Sequence, residues 1–170
     1  NNFNAAAAEL ALARLSVAYE RLPDGRLRVP GDLDLSRRGL TELPDLTGVE
    51  VWGDFRCDNN RLTSLRGSPE TVGGAFSCIA CRLTSLEGGP RIVGEEVFVI
   101  NNKLVSLKGG PSIVGLDYHC DDNQLASLEG APLSVGGMFT CTFNPLLSLE
   151  GAPRSFTLLQ SAFGDFFSWN

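Results

Sequence analysis

A 21-residue period runs through most of this chain, and a period of that length restricts the fold to a stack of similar coils. The segments Cys57–Leu65, Cys78–Leu86, Val99–Leu107, Cys120–Leu128 and Cys141–Leu149 follow one another at 21-residue steps. One leucine column runs Leu62, Leu83, Leu104, Leu125, Leu146, and a second runs Leu65, Leu86, Leu107, Leu128, Leu149. Pro69, Pro90, Pro111, Pro132 and Pro153 keep the same register, as do Val51, Val72, Val93, Val114 and Val135 and the glycines 73, 94, 115 and 136. An earlier, slightly offset copy runs from Leu33 to Pro44. Within each copy a triplet such as Phe55-Arg56-Cys57, Phe76-Ser77-Cys78 or Tyr118-His119-Cys120 alternates core and variable positions, the signature of a short strand with one buried face.

Three residues after the Cys column stands Asn60, Asn102, Asn123 or Asn144, with Cys81 in their place once. An inward asparagine at a sharp bend satisfies backbone groups of its own rung and of the neighbouring one. The resulting pattern, Leu-x-Leu-x-x-Asn-x-Leu with Phe, Tyr or Cys in the first apolar columns, resembles the leucine-rich repeat family in a short variant, over residues 33–155. The recurrent Ser-Leu-Glu-Gly-x-Pro phrase also resembles repeats of bacterial and phage proteins. The resemblance implies an α/β solenoid: a right-handed superhelix with a parallel sheet on its concave side and short loops on its convex side. Six rungs at the usual strand spacing make a sheet about 29 Å long.

A solenoid has exposed ends that require covering. Residues 5–22 carry Ala8, Leu12, Leu15, Tyr19 and Leu22 at helical spacing, with Asn4 placed to cap the start and Pro23-Asp24-Gly25 to end the helix in a turn. The expected organisation is a helical cap over 1–30, the repeat over 31–155, and over 156–170 either a C-terminal cap or the start of a further segment. Phe156, Leu158, Leu159, Phe163, Phe166, Phe167 and Trp169 are expected to cover the last rung, the alternative being that they dock onto something else.

The net charge of −6 offers no basic field for phosphates or anionic lipid, and no apolar run is long enough to span a bilayer, so neither nucleic acid nor membrane is expected as a partner. Five cysteines, an odd number, fit a reducing compartment better than a disulfide framework, and the expected location is cytoplasmic, with delivery into a host cell as an effector left open. Cys78 and Cys81 have the spacing of half a zinc site, but no second pair accompanies them, and each occupies a core column; buried, reduced thiols are expected, with no metal and no cofactor. Asp117, His119 and Asp121 share the outward side of one strand and resemble a metal or acid–base trio, yet successive positions spread over about 13 Å, too far for one ion. Inward thiols and an outward imidazole do not meet, and the Gly-Gly doublets do not open a helix, so no enzyme activity is expected.

The variable strand columns read, rung by rung, Asp54, Arg56, Asp58; Ala75, Ser77, Ile79; Glu96, Phe98, Ile100; Asp117, His119, Asp121; Met138, Thr140, Thr142. Ile79, Phe98 and Ile100 form an apolar island between acidic ends, the composition of an interface. The partner-binding residues expected from this are Asp54, Arg56, Asp58, Ile79, Glu96, Phe98, Ile100, Asp117, His119 and Asp121. The reading is a non-catalytic protein-interaction module that presents the concave sheet surface to another protein, its oligomeric state open. Two alternatives stand beside it. One is the recognition part of a larger bacterial effector such as a ubiquitin ligase; the other is an assembly component of a phage-like particle.

Overall fold

The computed structural model describes residues 3–167. The repeat folds into a β-solenoid of about six turns, built mostly from two-residue strands and one short helix. Helix α1 (Ala5–Arg14) is followed by β1 (Glu20–Arg21), β2 (Leu27–Val29), β3 (Leu33–Asp34), β4 (Glu50–Val51), β5 (Phe55–Arg56), β6 (Thr71–Val72) and β7 (Phe76–Ser77). Then come β8 (Ile92–Val93), β9 (Val97–Phe98), β10 (Ile113–Val114), β11 (Tyr118–His119), β12 (Met138–Thr140), β13 (Leu158–Ser161) and β14 (Gly164–Phe166).

Each rung contributes to two sheets. One has six strands in the order β1-β2-β4-β6-β8-β10, the other eight in the order β14-β13-β12-β11-β9-β7-β5-β3. Pairing within both is parallel except for the terminal pairs β1·β2 and β13·β14. The short convex loops of the sequence reading are therefore replaced in part by a second sheet. Its strands β4, β6, β8 and β10 have only two residues, too few to show alternation, and the glycine after Val72, Val93 and Val114 disguises them as turns.

The core lies between the sheets. Val51, Val72, Val93 and Val114 face it from the six-stranded sheet; Phe55, Phe76, Val97, Tyr118 and Phe139 face it from the other, all nearly or fully buried. Like residues stack from rung to rung, Phe55 on Phe76 at 5.8 Å between ring centroids and Tyr118 on Phe139 at 5.1 Å. Both leucine columns and the prolines fill the return stroke. The serines before the second leucine column, exposed or half-buried, also have a role: Ser64, Ser85, Ser106, Ser127 and Ser148 each accept, through Oγ, the amide two residues on, which closes the turn.

The asparagines form the ladder their spacing implies. Asn102 Nδ2 donates to the carbonyls of Cys78 in the previous rung and of Val99 and Ile100 in its own, while its Oδ1 accepts from Leu83 N at 3.1 Å. Asn60, Asn123 and Asn144 repeat the arrangement. The residue before each of them, and before Cys81 in the same column, turns the chain in the left-handed region, with φ between 54° and 57° at Asn59, Ala80, Asn101, Asp122 and Phe143.

The ends depart from expectation. Helix α1 stops at Arg14, eight residues early, although Asn4 does cap its start by accepting from Ala7 N at 3.1 Å. Ser16 takes a left-handed φ of 54°, and Val17 N and Ser16 N bond back to Leu12 O and Ala13 O, a C-terminal motif usually built on glycine. Ala8 and Leu12 join the core, Leu15 and Leu22 are half-buried, and Tyr19 is exposed. Pro23-Asp24-Gly25 closes the β1·β2 hairpin instead of ending the helix. At the other end, β13 extends the eight-stranded sheet and buries Leu159, while Phe163, Phe166 and Phe167 are 51%, 42% and 68% exposed. Trp169 lies outside the described residues.

One core group is out of place. The Tyr118 hydroxyl is buried without a hydrogen-bond partner among the described residues, and burial pushes its pKa well up. Tyr118→Phe supplies the ring that the same column carries at Phe55, Phe76 and Phe139, and should raise stability by about 1 kcal/mol. Urea unfolding measures this; a loss of stability would mean that the hydroxyl is hydrogen-bonded after all.

Candidate functional site

The variable columns run along the eight-stranded sheet, with Arg56, Ser77, Phe98, His119, Met138 and Thr140 inside its strands and the others flanking them; Ala75, Ser77 and Thr140 are buried. Parallel in-register pairing places same-column residues 21 positions apart side by side: Arg56 beside Ser77, Ser77 beside Phe98, Phe98 beside His119 and His119 beside Thr140. Ile79 and Ile100 stand two residues beyond Ser77 and Phe98, past the ends of β7 and β9, where Ala80 N donates to Ile100 O at 3.1 Å, so the apolar island spans two adjacent rungs. All three of its members are half-buried.

The carboxylates on this face are structural as well as displayed. Asp54 Oδ1 accepts from Ala75 N at 2.8 Å in the next rung, which, together with Arg56 bonded to its other oxygen at 2.9 Å, holds its pKa below the usual carboxylate range. Asp58 Oδ1 accepts from Ile79 N at 2.8 Å and from the Ser77 hydroxyl. Asp117 Oδ1 accepts from Met138 N, and Asp121 accepts from Thr142 N and from the hydroxyls of Thr140 and Thr142. Arg56 is exposed and Glu96 half-buried.

His119 sits at the centre of these contacts. Its ring stacks on Phe98 at 5.1 Å with an interplanar angle of 18°; Nδ1 lies 2.7 Å from Thr140 Oγ1 and Nε2 3.5 Å from Asp117 Oδ2. With the Thr140 hydroxyl donating to Asp121 Oδ2, Nδ1–H is the donor to Thr140. Among the described residues no group of three His, Cys, Asp or Glu is arranged to hold a metal ion.

Two features escaped the sequence reading. Thr140 and Ser77 appeared only as variable positions, although Thr140 is 21 residues from His119 and Ser77 is 21 residues from Arg56, a sufficient signal that each lies beside that residue. The second is on the other sheet, where Ile92 and Ile113 pair in register on the outer face and are 40% and 57% exposed, with Leu116 and Leu133 also exposed nearby in sequence. A column not recognised as a strand was not read for what it displays.

All five cysteines are buried and free. Cys78 Sγ lies 3.3 Å from Cys81 Sγ, and Cys81 Sγ donates to Cys57 O at 3.2 Å, the carbonyl an asparagine would reach from that position. Burial raises the thiol pKa of Cys120 well above its ordinary value and that of Cys141 to about 12. No helix among the described residues is long and apolar enough to cross a membrane. Comparison with protein-family models, with curated proteins and with solved structures finds no match.

Proposed function

We propose that the chain is a non-catalytic protein-interaction module of leucine-rich-repeat type, a right-handed coil closed at its start by α1, whose partner protein sits on the outer face of the eight-stranded sheet. The observation that carries this reading is the continuity of Ile79, Phe98 and Ile100 across adjacent rungs, flanked by carboxylates that are already fixed. Asp54, Asp58, Asp117 and Asp121 are held by hydrogen bonds to the next rung, so a partner meeting this face immobilises few free side chains. An apolar centre with a polar rim is the arrangement in which a few residues supply most of the binding energy.

Phe98→Asp tests the reading. Its ring lies on the sheet surface against His119, so the folded state should lose less than about 1 kcal/mol, whereas capture of the partner by tagged protein should fall at least about tenfold. Thermal melting and quantitative capture on the same preparations measure both; undiminished capture by a folded variant would overturn the assignment. The greater exposure of Ile92 and Ile113 favours a second reading, in which the partner sits on the six-stranded sheet. In that case Ile113→Lys, and not Phe98→Asp, abolishes capture.

A further inference from the structure

We propose that Cys78 and Cys81 are a dithiol modification site that closes to an intrachain disulfide when hydrogen peroxide supplies the oxidant. The sulfurs are already in contact at 3.3 Å, and the two residues between them include Ala80, whose left-handed φ of 55° turns Cys81 back towards Cys78. Cys57 and Cys78, and likewise Cys120 and Cys141, occupy the same column on adjacent rungs. Their side chains run parallel, which leaves their Cβ atoms about one strand spacing apart, wider than a disulfide accepts.

The thiol at position 81 also stands where the repeat otherwise places asparagine. At Asn60, Asn102, Asn123 and Asn144 that amide donates to three carbonyls and accepts a leucine N–H from the rung before. Cys81 keeps sulfur contacts to the carbonyls of Cys57 and Ile79 but brings no amide oxygen to Leu62 N. The ladder is thus weakened at the one rung where doing so brings two thiols together.

Cys81 is 8% exposed and Cys78 is fully buried, which assigns the first step to Cys81. Its thiolate attacks one peroxide oxygen, breaking the O–O bond; hydroxide leaves and is protonated to water, giving a sulfenic acid on Cys81. Cys78 as thiolate then attacks Cys81 Sγ, the S–S bond forms, the S–O bond breaks, and the second hydroxide leaves as water. Two thiols lose two electrons in all, and one peroxide is reduced to two waters. Both thiols are raised well above their ordinary range, Cys81 chiefly by its hydrogen bond with Cys78 and then by burial, Cys78 chiefly through Cys57. The thiolate fraction, and with it the rate, should therefore be low at neutral pH and climb about tenfold per pH unit.

The test treats the full native chain with hydrogen peroxide at pH 7 and pH 9, blocks remaining thiols under denaturing conditions, and digests with trypsin. Cys78 and Cys81 share the peptide 67–82, whereas Cys57 lies in another, so the bridge is read within one peptide and is not confused with oxidation of Met138. The expected result is a 67–82 peptide two mass units lighter than its dithiol form, forming faster at pH 9, with Cys57, Cys120 and Cys141 still alkylated. In Cys81→Asn, which restores the residue of the other rungs, the melting temperature should rise and Cys78 should stay alkylatable. Five free thiols after long exposure at pH 9, a sulfinic acid at Cys81 beside a free Cys78, or a Cys57–Cys78 bridge as the main product would each overturn the proposal.

Discussion

Gly115→Ala is expected to destabilise the protein by about 3 kcal/mol or more, enough to leave a marginal domain largely unfolded. A Cβ at Gly115 falls 1.9 Å from the carbonyl oxygen of Gly94 and 2.8 Å from its carbon. Both are backbone atoms held in the six-stranded sheet, where Gly115 N donates to Val93 O at 3.0 Å and Leu116 N to Glu95 O at 3.1 Å. No side-chain rotation relieves the overlap, so the rungs must part and surrender those bonds. Gly31→Ala is the control: a Cβ there meets nothing within 4 Å, and the change should stay within about 0.5 kcal/mol. Urea denaturation followed by circular dichroism compares the two, and equal midpoints would refute the close-approach argument.

Leu104→Ala should cost about 2–5 kcal/mol. The side chain is fully buried, midway along a column with Leu83 and Leu125 on either side, also fully buried. Collapse around the missing atoms is hindered because the rungs flanking it are pinned: Lys103 N donates to Leu83 O at 2.8 Å and Gln124 N to Leu104 O at 2.9 Å. The same replacement at Leu146, which is 9% exposed near the end of the column, should cost less. Denaturant titration of both variants checks the order, and a loss below about 1 kcal/mol at Leu104 would put that leucine outside the core.

What was legible in the residues follows from what a column can encode. The inward positions of the eight-stranded sheet, both leucine columns and the asparagine ladder all repeat a chemical type, so their burial was readable from spacing alone. The six-stranded sheet was missed because β4, β6, β8 and β10 each fully bury only their valine, and a two-residue strand has no period. The end of α1 was missed because Ser16 adopts a conformation for which the sequence has no glycine to signal it. The groups that fix the expected residues, such as the Thr140 hydroxyl on His119 and the Ala75 amide on Asp54, belong to the next rung, and naming them takes side-chain positions that spacing does not encode.

That offset is not uniform along the eight-stranded sheet. Leu33 pairs with Phe55 across 22 residues, the next four pairings from Phe55 to Phe139 each span 21, and Met138 pairs with Leu158 across 20. A tandem duplication of 21 codons' worth of chain falling between Phe55 and Phe139 would therefore lengthen the stack by one strand spacing, about 4.8 Å, and present each old neighbour with a surface already made for it. The terminal coils, set one residue long and one residue short, lack this interchangeability. Growth by copying is thus favoured among the coils from Phe55 to Phe139, whose number inheritance can change one whole coil at a time.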